Sequence, residues 1–347
     1  MPENSSISSR KTEHIRISLE EDVTGENITS GFEHYTFVHQ ALPELDYNHV
    51  DTSTEFLGRK ISAPFLISSM TGGTDKALDI NRNLAIAAEE RGWAMGLGST
   101  RAALESPGQA HTFKIRQYAP SIPLFANLGA VQLNYGYGAD ECRRIVELTD
   151  ADALVLHLNS LQEVFQNEGD TNFSGLLYKI EELCQCLEVP VGVKEVGWGI
   201  NGSLAKRLGD AGVSFIDTAG AGGTSWSQVE KFRSTDPIKR AAAEAFAGWG
   251  IPTAQCILEA REAGYTGTLI SSGGIQNGVE GAKSLALGAD LAGIGRTVLK
   301  PAFDGSEALI DLFKQIETEL RIAMFGISAS SIEELKKTQH IRKRQIF

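Results

Sequence analysis

The chain has no apolar run approaching 18 residues, which excludes a membrane-spanning helix of the ordinary kind. It opens on MPENSSISSRKTEH, without the apolar stretch of a secretory signal, so a cytoplasmic location is expected. Cysteine is scarce: Cys142, Cys184, Cys186 and Cys256 are the only four in 347 residues. Cys184 and Cys186 stand two apart in a helical stretch and so point to different faces, a poor chelate. Reduced thiols are expected, with neither a disulfide framework nor a structural zinc. An excess of positive charge is missing too. Lys and Arg number 32 against 44 for Asp and Glu, a formal net charge of −12. That balance argues against a general nucleic-acid or anionic-membrane surface. A phosphorylated ligand then needs Lys and Arg gathered locally, helped by a divalent cation. The chain also lacks G-x-G-x-x-G after its first strand, where MTGGTD stands, and this leaves a Rossmann sheet as a weak runner-up.

What is present is an alternation of short apolar runs and helical segments. The runs are 64–70 (PFLISSM), 93–97 (WAMGL), 124–128 (LFANL), 153–158 (ALVLHL), 191–196 (VGVKEV), 215–218, 269–272 and 291–294. Helices are expected over 75–91, 111–118, 140–148, 237–246, 279–287 and 307–324. Buried parallel strands alternating with helices, eight times with no break into halves, predict an α/β fold: a (β/α)₈ TIM barrel. The barrel is placed at 61–347 with its C-terminal helices, preceded by an extension over 1–60. Residues 1–15 begin without a core pattern and read by themselves as a solvated tail. The basic end, IRKRQIF, reads as a solvated or subunit-contact tail. The aromatics of FEHYTFVHQALPEL suit packing across one end of a barrel. Two connections, 159–173 and 219–236, are too long for plain turns and mark lids or ligand contacts.

The stretch 271–296 (SSGGIQNGVEGAKSLALGADLAGIGR) reads as strand, glycine turn, helix, strand and second glycine turn. Glycines at a strand's carboxyl end permit positive φ and close approach of N–H groups to an anion. The loops after the last two barrel strands are the usual phosphate corner, although ordinary tight turns have the same composition. Polar residues gather at the other strand ends: Ser69, Thr71, Ser99, Arg101, Asn127, His157 and Asn159. Gln162, Glu163, Lys194 and Thr224 extend the set. One polar group on an apolar strand is usually a satisfied core residue, but so many at equivalent positions describe a site.

Lys194 needs a reason to lie on a buried strand. A Schiff-base lysine, an ion pair, and a cation beside an electron-rich cofactor ring are the choices. Glu195 alternates to the other side of the strand, which argues against a pair within it. A cation at a flavin's N1–C2=O edge stabilises the anionic reduced ring, and with two phosphate-type turns FMN is the better fit. Glu163, near His157 and Asn159, is a candidate oxygen ligand for Mg²⁺, against the plainer reading of a solvated loop acid. Arg10, Lys11 and His14 offer a cationic grip if the tail folds back.

RKTEHI (10–15), SMTGG (69–73), GST (98–100), FANLGA (125–130) and HLNSLQE (157–163) form a set with VKEVGWG (193–199), DTAGAGGTSW (217–226) and SSGGIQNG (271–278). The set resembles the type 2, FMN-dependent isopentenyl-diphosphate isomerases over nearly the whole chain and in the right order. The resemblance implies interconversion of isopentenyl and dimethylallyl diphosphate with FMN, Mg²⁺ and NADPH as the flavin's reductant. It implies FMN contacts at Ser69, Met70, Thr71, Ser99, Asn127, Lys194 and Thr224, with a phosphate cradle at Gly274, Ile275, Gln276, Gly295 and Arg296. Diphosphate contacts are implied at Arg10, Lys11, His14, Ser99, Thr100, Arg101, Asn159 and Gln162, and a Mg²⁺ ligand at Glu163. Catalytic roles fall to Gln162, His157 and Glu230, the last as a proton relay whose plainer reading is an exposed helical acid. Gln276 departs from the family, where many members carry Arg. A homo-oligomer, tetramer or octamer, is implied. The competing readings are an FMN oxidoreductase of the hydroxy-acid oxidase or IMP-dehydrogenase type, and a non-catalytic barrel binding a phosphorylated ligand.

Overall fold

The computed structural model describes residues 3–344. Eight parallel strands close into a barrel: Phe65–Ile67, Ala94–Gly96, Leu124–Gly129, Ala153–Leu158, Val191–Glu195, Phe215–Asp217, Thr268–Ser272 and Leu291–Ile294. The eighth pairs with the first, Ala292 opposite Phe65 and Ile294 opposite Ile67, so no edge is left open. All eight expected strands are present. Their residues are buried toward both faces, as continuous apolar runs require when helices cover the outside.

The barrel's interior is filled by Leu66, Phe125, Val155, Phe215, Ile270 and Leu291. Gly192 makes room there, since a Cβ would lie 2.2 Å from the Phe215 ring. An antiparallel hairpin, Thr54–Phe56 with Arg59–Ile61, plugs the amino-terminal end. Phe56 meets Phe125 and Phe215 edge-on at 5.5 and 5.6 Å. Of the expected aromatic packing, Phe32 is fully buried, but Tyr35–Phe37 forms a strand beside the barrel and not across its end.

Three expectations are corrected. Residues 111–118 are not one helix but two 3₁₀ turns, Pro107–Phe113 and Arg116–Tyr118. Phe113 and Ile115 are both fully buried, and two residues two apart share a face only where the helix is broken. The N-terminal segment is not a solvated tail: an α-helix covers Glu3–Glu20, and Ile17 is buried with Val23 and Val229. The basic C-terminal end pairs as a strand, Ile341–Lys343, with Tyr35–Phe37; residues 345–347 lie outside the described ones. The two long connections hold helices, Ser160–Phe165 in one and Trp226–Arg233 in the other, with Pro237–Ala245 following. The cysteines are free.

Candidate active site

A cavity of about 490 Å³ opens at the carboxyl ends of the strands, within the range of small-molecule sites. Its floor and one side are built from backbone. Gly273 and Gly274 hold φ of +105° and +80°. A Cβ on Gly273 would lie 2.0 Å from Gly220 O, and one on Gly223 2.7 Å from Gly274 N. The glycine turns after strands six and seven are therefore packed backbone to backbone, and this close approach is what excludes side chains there. Beside them, helix Arg296–Asp304 starts at Gly295 with no side-chain cap, leaving its N–H groups for the cavity. The buried Ser68 hydroxyl has no partner among the described residues and lies on the same wall. An uncapped helix start, a free hydroxyl and side-chain-free loops form a donor set that fits a phosphate.

The expected cofactor residues all line this cavity. Ser69, Met70 and Thr71 follow strand one, and Ser99 follows strand two. Asn127 lies on strand three and Lys194 on strand five, while Thr224, Gly274, Ile275, Gln276, Gly295 and Arg296 complete the wall. Gln276 is tied by its backbone, whose N–H donates to Glu280 Oε2 at 2.8 Å.

Lys194 finds partners that the sequence reading missed. Its ammonium donates to Glu195 O at 2.9 Å and stands 3.4 Å from Asp217 Oδ2. Register puts Asp217 of strand six directly opposite Lys194. Ser272 Oγ donates to the other oxygen of Asp217 at 2.6 Å. An acid on the neighbouring strand, one lysine away in a parallel register, was the available signal. As expected, Glu195 turns the other way. Its Oε2 accepts the N–H groups of Val196, Gly197, Trp198 and Gly199 at 2.6–3.1 Å, forming the turn that brings Val196 and Gly197 to the cavity.

Asn127 bridges two neighbours. Its Nδ2 donates to Ser69 Oγ at 3.2 Å, so Oδ1 is the acceptor for His157 Nδ1 at 2.8 Å. Burial first, then the charges of Lys194 and Lys11, pull the His157 imidazole down to about 4. It is neutral at physiological pH, with the proton on Nδ1 and a bare Nε2.

The N-terminal helix closes the top. Arg10 Nη1 donates to Gln166 Oε1 at 2.7 Å, and Lys11 Nζ donates to Ser99 O at 3.2 Å and lies 5.3 Å from the Phe113 ring centre. Burial, followed by the charge of Arg10, brings the Lys11 ammonium down to about 7. His14 packs edge-on against Trp226 at 5.0 Å, and its Nε2 meets Glu230 Oε1 at 2.9 Å. Glu230 is not an exposed helical acid. It is 2% exposed and paired to Arg233 at 2.5 Å. Burial works to raise its carboxyl, but His14 and Arg233 outweigh this and hold it below the usual range. Glu230 stands behind His14 and not in the cavity wall. Thr100 is likewise fully buried behind it, its hydroxyl accepting the Asn127 N–H at 3.4 Å.

Opposite, Glu163 Oε1 accepts from Asn159 Nδ2 at 2.6 Å and Oε2 from the Asp170 N–H at 2.8 Å. Burial raises its carboxyl against those two bonds. No group of three or more His, Cys, Asp or Glu is arranged to hold a metal among the described residues. A single carboxylate beside the buried, unpartnered Asn159 Oδ1 suits a Mg²⁺ whose remaining ligands come from phosphate and water. Arg101, with Gln162 the last of the expected substrate contacts on the wall, is shared between Glu105 at 2.5 Å and Asp170 at 2.9 Å.

The model of the FMN-dependent dehydrogenase family matches residues 4–118 and 146–343. An isopentenyl-diphosphate delta-isomerase of Oceanobacillus iheyensis is 54% identical over 335 residues, 96% of each chain. The chain belongs to the FMN-dependent isopentenyl-diphosphate delta-isomerase family. Another relative of that name, from a Nostoc species, is 50% identical over 337 residues, covering 97% of this chain and 96% of its own. Among solved structures, a flavocytochrome b2 mutant with pyruvate bound superposes with a TM-score of 0.68 at 18% identity, covering 95% of this chain and 82% of that one. A lactate oxidase of Pediococcus acidilactici gives 0.67 at 17%, covering 99% and 95%. At that identity the likeness concerns the barrel alone. The IMP-dehydrogenase reading requires a nucleophilic cysteine on a loop at a strand end, and Cys256 does not supply it. It sits in helix Thr253–Glu262, away from the cavity, its thiol pushed up to about 12 by burial.

Proposed function

We propose that this enzyme interconverts isopentenyl and dimethylallyl diphosphate with reduced FMN and Mg²⁺, NADPH serving to reduce the flavin. One observation carries the reading beyond family membership. The N-terminal helix sets Arg10 and Lys11 over the same cavity that holds the glycine cradle and, opposite, Glu163. Two separate anion grips, one at the cradle and one under the helix, suit a cofactor phosphate below and a substrate diphosphate above.

The chemistry reduced FMN supplies when bound is proton exchange at carbon beside an apolar chain. The residues around it bind, orient and exclude water. Ser68, Gly274–Gln276, Gly295 and Arg296 hold the cofactor phosphate, while Lys194, kept in place by Asp217, offers positive charge to the ring. Ser69, Met70, Thr71, Ser99, Asn127 and Thr224 surround the rest of the cofactor. Arg10, Lys11, His14 and Arg101 take the diphosphate, with Ser99 and Asn159 at its edges and Glu163 holding the metal. Thr100 contributes by fixing the backbone beneath Ser99. Gln162 orients the substrate's carbon chain over His157, whose neutral ring donates its Nδ1 proton in a hydrogen bond to Asn127 and leaves Nε2 as an acceptor for the reaction. Glu230 acts through His14 as a relay for protons from outside. Residues 1–60 serve as an extension that completes the site on a barrel formed by 61–347. We take the working enzyme to be a cytoplasmic homo-oligomer, tetramer or octamer, which light scattering checks.

The test is to incubate NADPH-reduced, Mg²⁺-supplemented holoenzyme with isopentenyl diphosphate in D₂O. Dimethylallyl diphosphate and deuterium in the allylic positions are expected. Absence of both isomer and deuterium sinks the reading, and a purified protein that is not yellow sinks the FMN assignment.

A further inference from the structure

The connection after strand four carries a residue outside the cavity wall that touches three side chains within it. Asp170 Oδ2 accepts from Arg101 Nη1 at 2.9 Å and from Gln132 Nε2 at 2.8 Å. Its own N–H donates to Glu163 Oε2 at 2.8 Å. Arg101 follows strand two, Gln132 strand three and Glu163 strand four. Asp170 thus ties three successive barrel loops together from the rim.

The bond to Gln132 also decides which way that amide faces. Its Nε2 is spent on Asp170, so Oε1 is the free end. That oxygen is buried with no donor among the described residues, in a side chain 4% exposed that lines the cavity. Asn159 repeats the pattern, with Nδ2 given to Glu163 and Oδ1 buried and unpartnered. Buried acceptors are almost always satisfied. Two that are not, one on the amide bound to Glu163 and one on the amide bound to Asp170, describe the oxygen side of an electropositive ligand. Arg101, on the same aspartate, presents the matching side for an anion.

We propose that Asp170 is a positioning residue that couples the cation subsite to the diphosphate subsite, so that a divalent metal and a diphosphate bind as one unit. The proposal rests on the reading of Glu163 and Arg101 given above. Asp170 touches neither ligand. It aims Arg101, whose other ion pair among the described residues is with Glu105, and keeps the Gln132 carbonyl turned inward. Truncating it leaves the backbone N–H for Glu163 but frees the other two side chains.

The test uses holoenzyme, with Mg²⁺ and inorganic pyrophosphate as probes, followed by calorimetry. For the wild type, pyrophosphate affinity is measured with and without Mg²⁺, and the ratio is the coupling factor. Asp170→Ala is expected to lower that factor by about tenfold or more, with flavin affinity and unfolding midpoint unchanged. Asp170→Asn falls between, because its oxygen still accepts from Gln132 while the charge facing Arg101 is gone. Glu168→Gln, on the exposed part of the same loop, behaves as wild type. The proposal is overturned if the wild type shows no metal coupling or if both Asp170 variants keep the wild-type factor. It is equally overturned if Glu168→Gln lowers it as much, or if the loss tracks loss of flavin. A wild type that couples metal to pyrophosphate yet forms no dimethylallyl diphosphate refutes the isomerase reading and leaves the Asp170 assignment standing.

Discussion

Replacing Glu195 by Gln separates a buried charge from everything else in the turn after strand five. The carboxyl is 8% exposed, and burial pushes it up to about 7, against the four N–H bonds that pull it down. A folded acid with a raised pKa holds its proton more tightly than the unfolded chain does. It stabilises the fold fully at pH below its ordinary 4.5, and the contribution is lost as pH climbs to about 7. At ~1.36 kcal/mol per pKa unit, the whole change is about 3 kcal/mol, and most of it falls between pH 5 and pH 8. Cys256, the neighbouring thiol, stays neutral throughout. The Gln variant keeps an acceptor for the N–H groups but cannot ionise, so it lacks this dependence. Urea unfolding of both proteins at a fixed, saturating FMN concentration, from pH 5 to pH 8, cancels all other titrations in the difference. The wild type should lose about 2–3 kcal/mol relative to the variant across that span. A flat difference curve would falsify the claim that Glu195 is held in a desolvated turn.

Lys11, brought down to about 7, carries its charge below that pH and loses it above. The KM for isopentenyl diphosphate should therefore rise as pH passes 7, and Lys11→Met should flatten that rise in steady-state assays. Glu163→Gln should raise the Mg²⁺ concentration for half-maximal activity about tenfold or more while the flavin spectrum and affinity stay put; flavin loss would mean that the carboxylate belongs to the cofactor site. Lys194→Met leaves Asp217 buried without its cation and should cost about 3–5 kcal/mol; adding Asp217→Asn should recover part of it, and thermal melts of the two variants check this. Glu317→Ala removes the partner of both Arg91 and the Trp93 indole N–H, the latter at 2.8 Å, on a ring stacked 4.0 Å from Phe313. A loss of about 3 kcal/mol or more, with kcat unchanged, is expected from denaturant midpoints and rate assays.

The barrel was legible in the chain because each strand is a short run buried on both faces and each connection carries its own helical or glycine signal. Those are local properties, readable without knowing any partner. The polar residues at strand ends were legible for the same reason, since a polar group at the end of a buried run stands out. Phe113 and Ile115 show the limit. Their burial breaks the helix that propensity alone suggests, and burial is a tertiary fact.

Partners distant in sequence were decided only by the fold. Lys194 meets Asp217 because closure of the barrel sets the register between strands five and six. Glu230 is buried because the N-terminal helix, which by composition reads as a tail, lays His14 against it. Asp170 reaches Arg101 and Gln132 only after three loops converge at the rim. The sequence by itself determined the kind of architecture, the phosphate-suited turns and most of the side chains that face the cavity. The tertiary structure decided which of them are paired, which are neutral and which are held by a third residue, because pairing and desolvation depend on distances that no local pattern encodes.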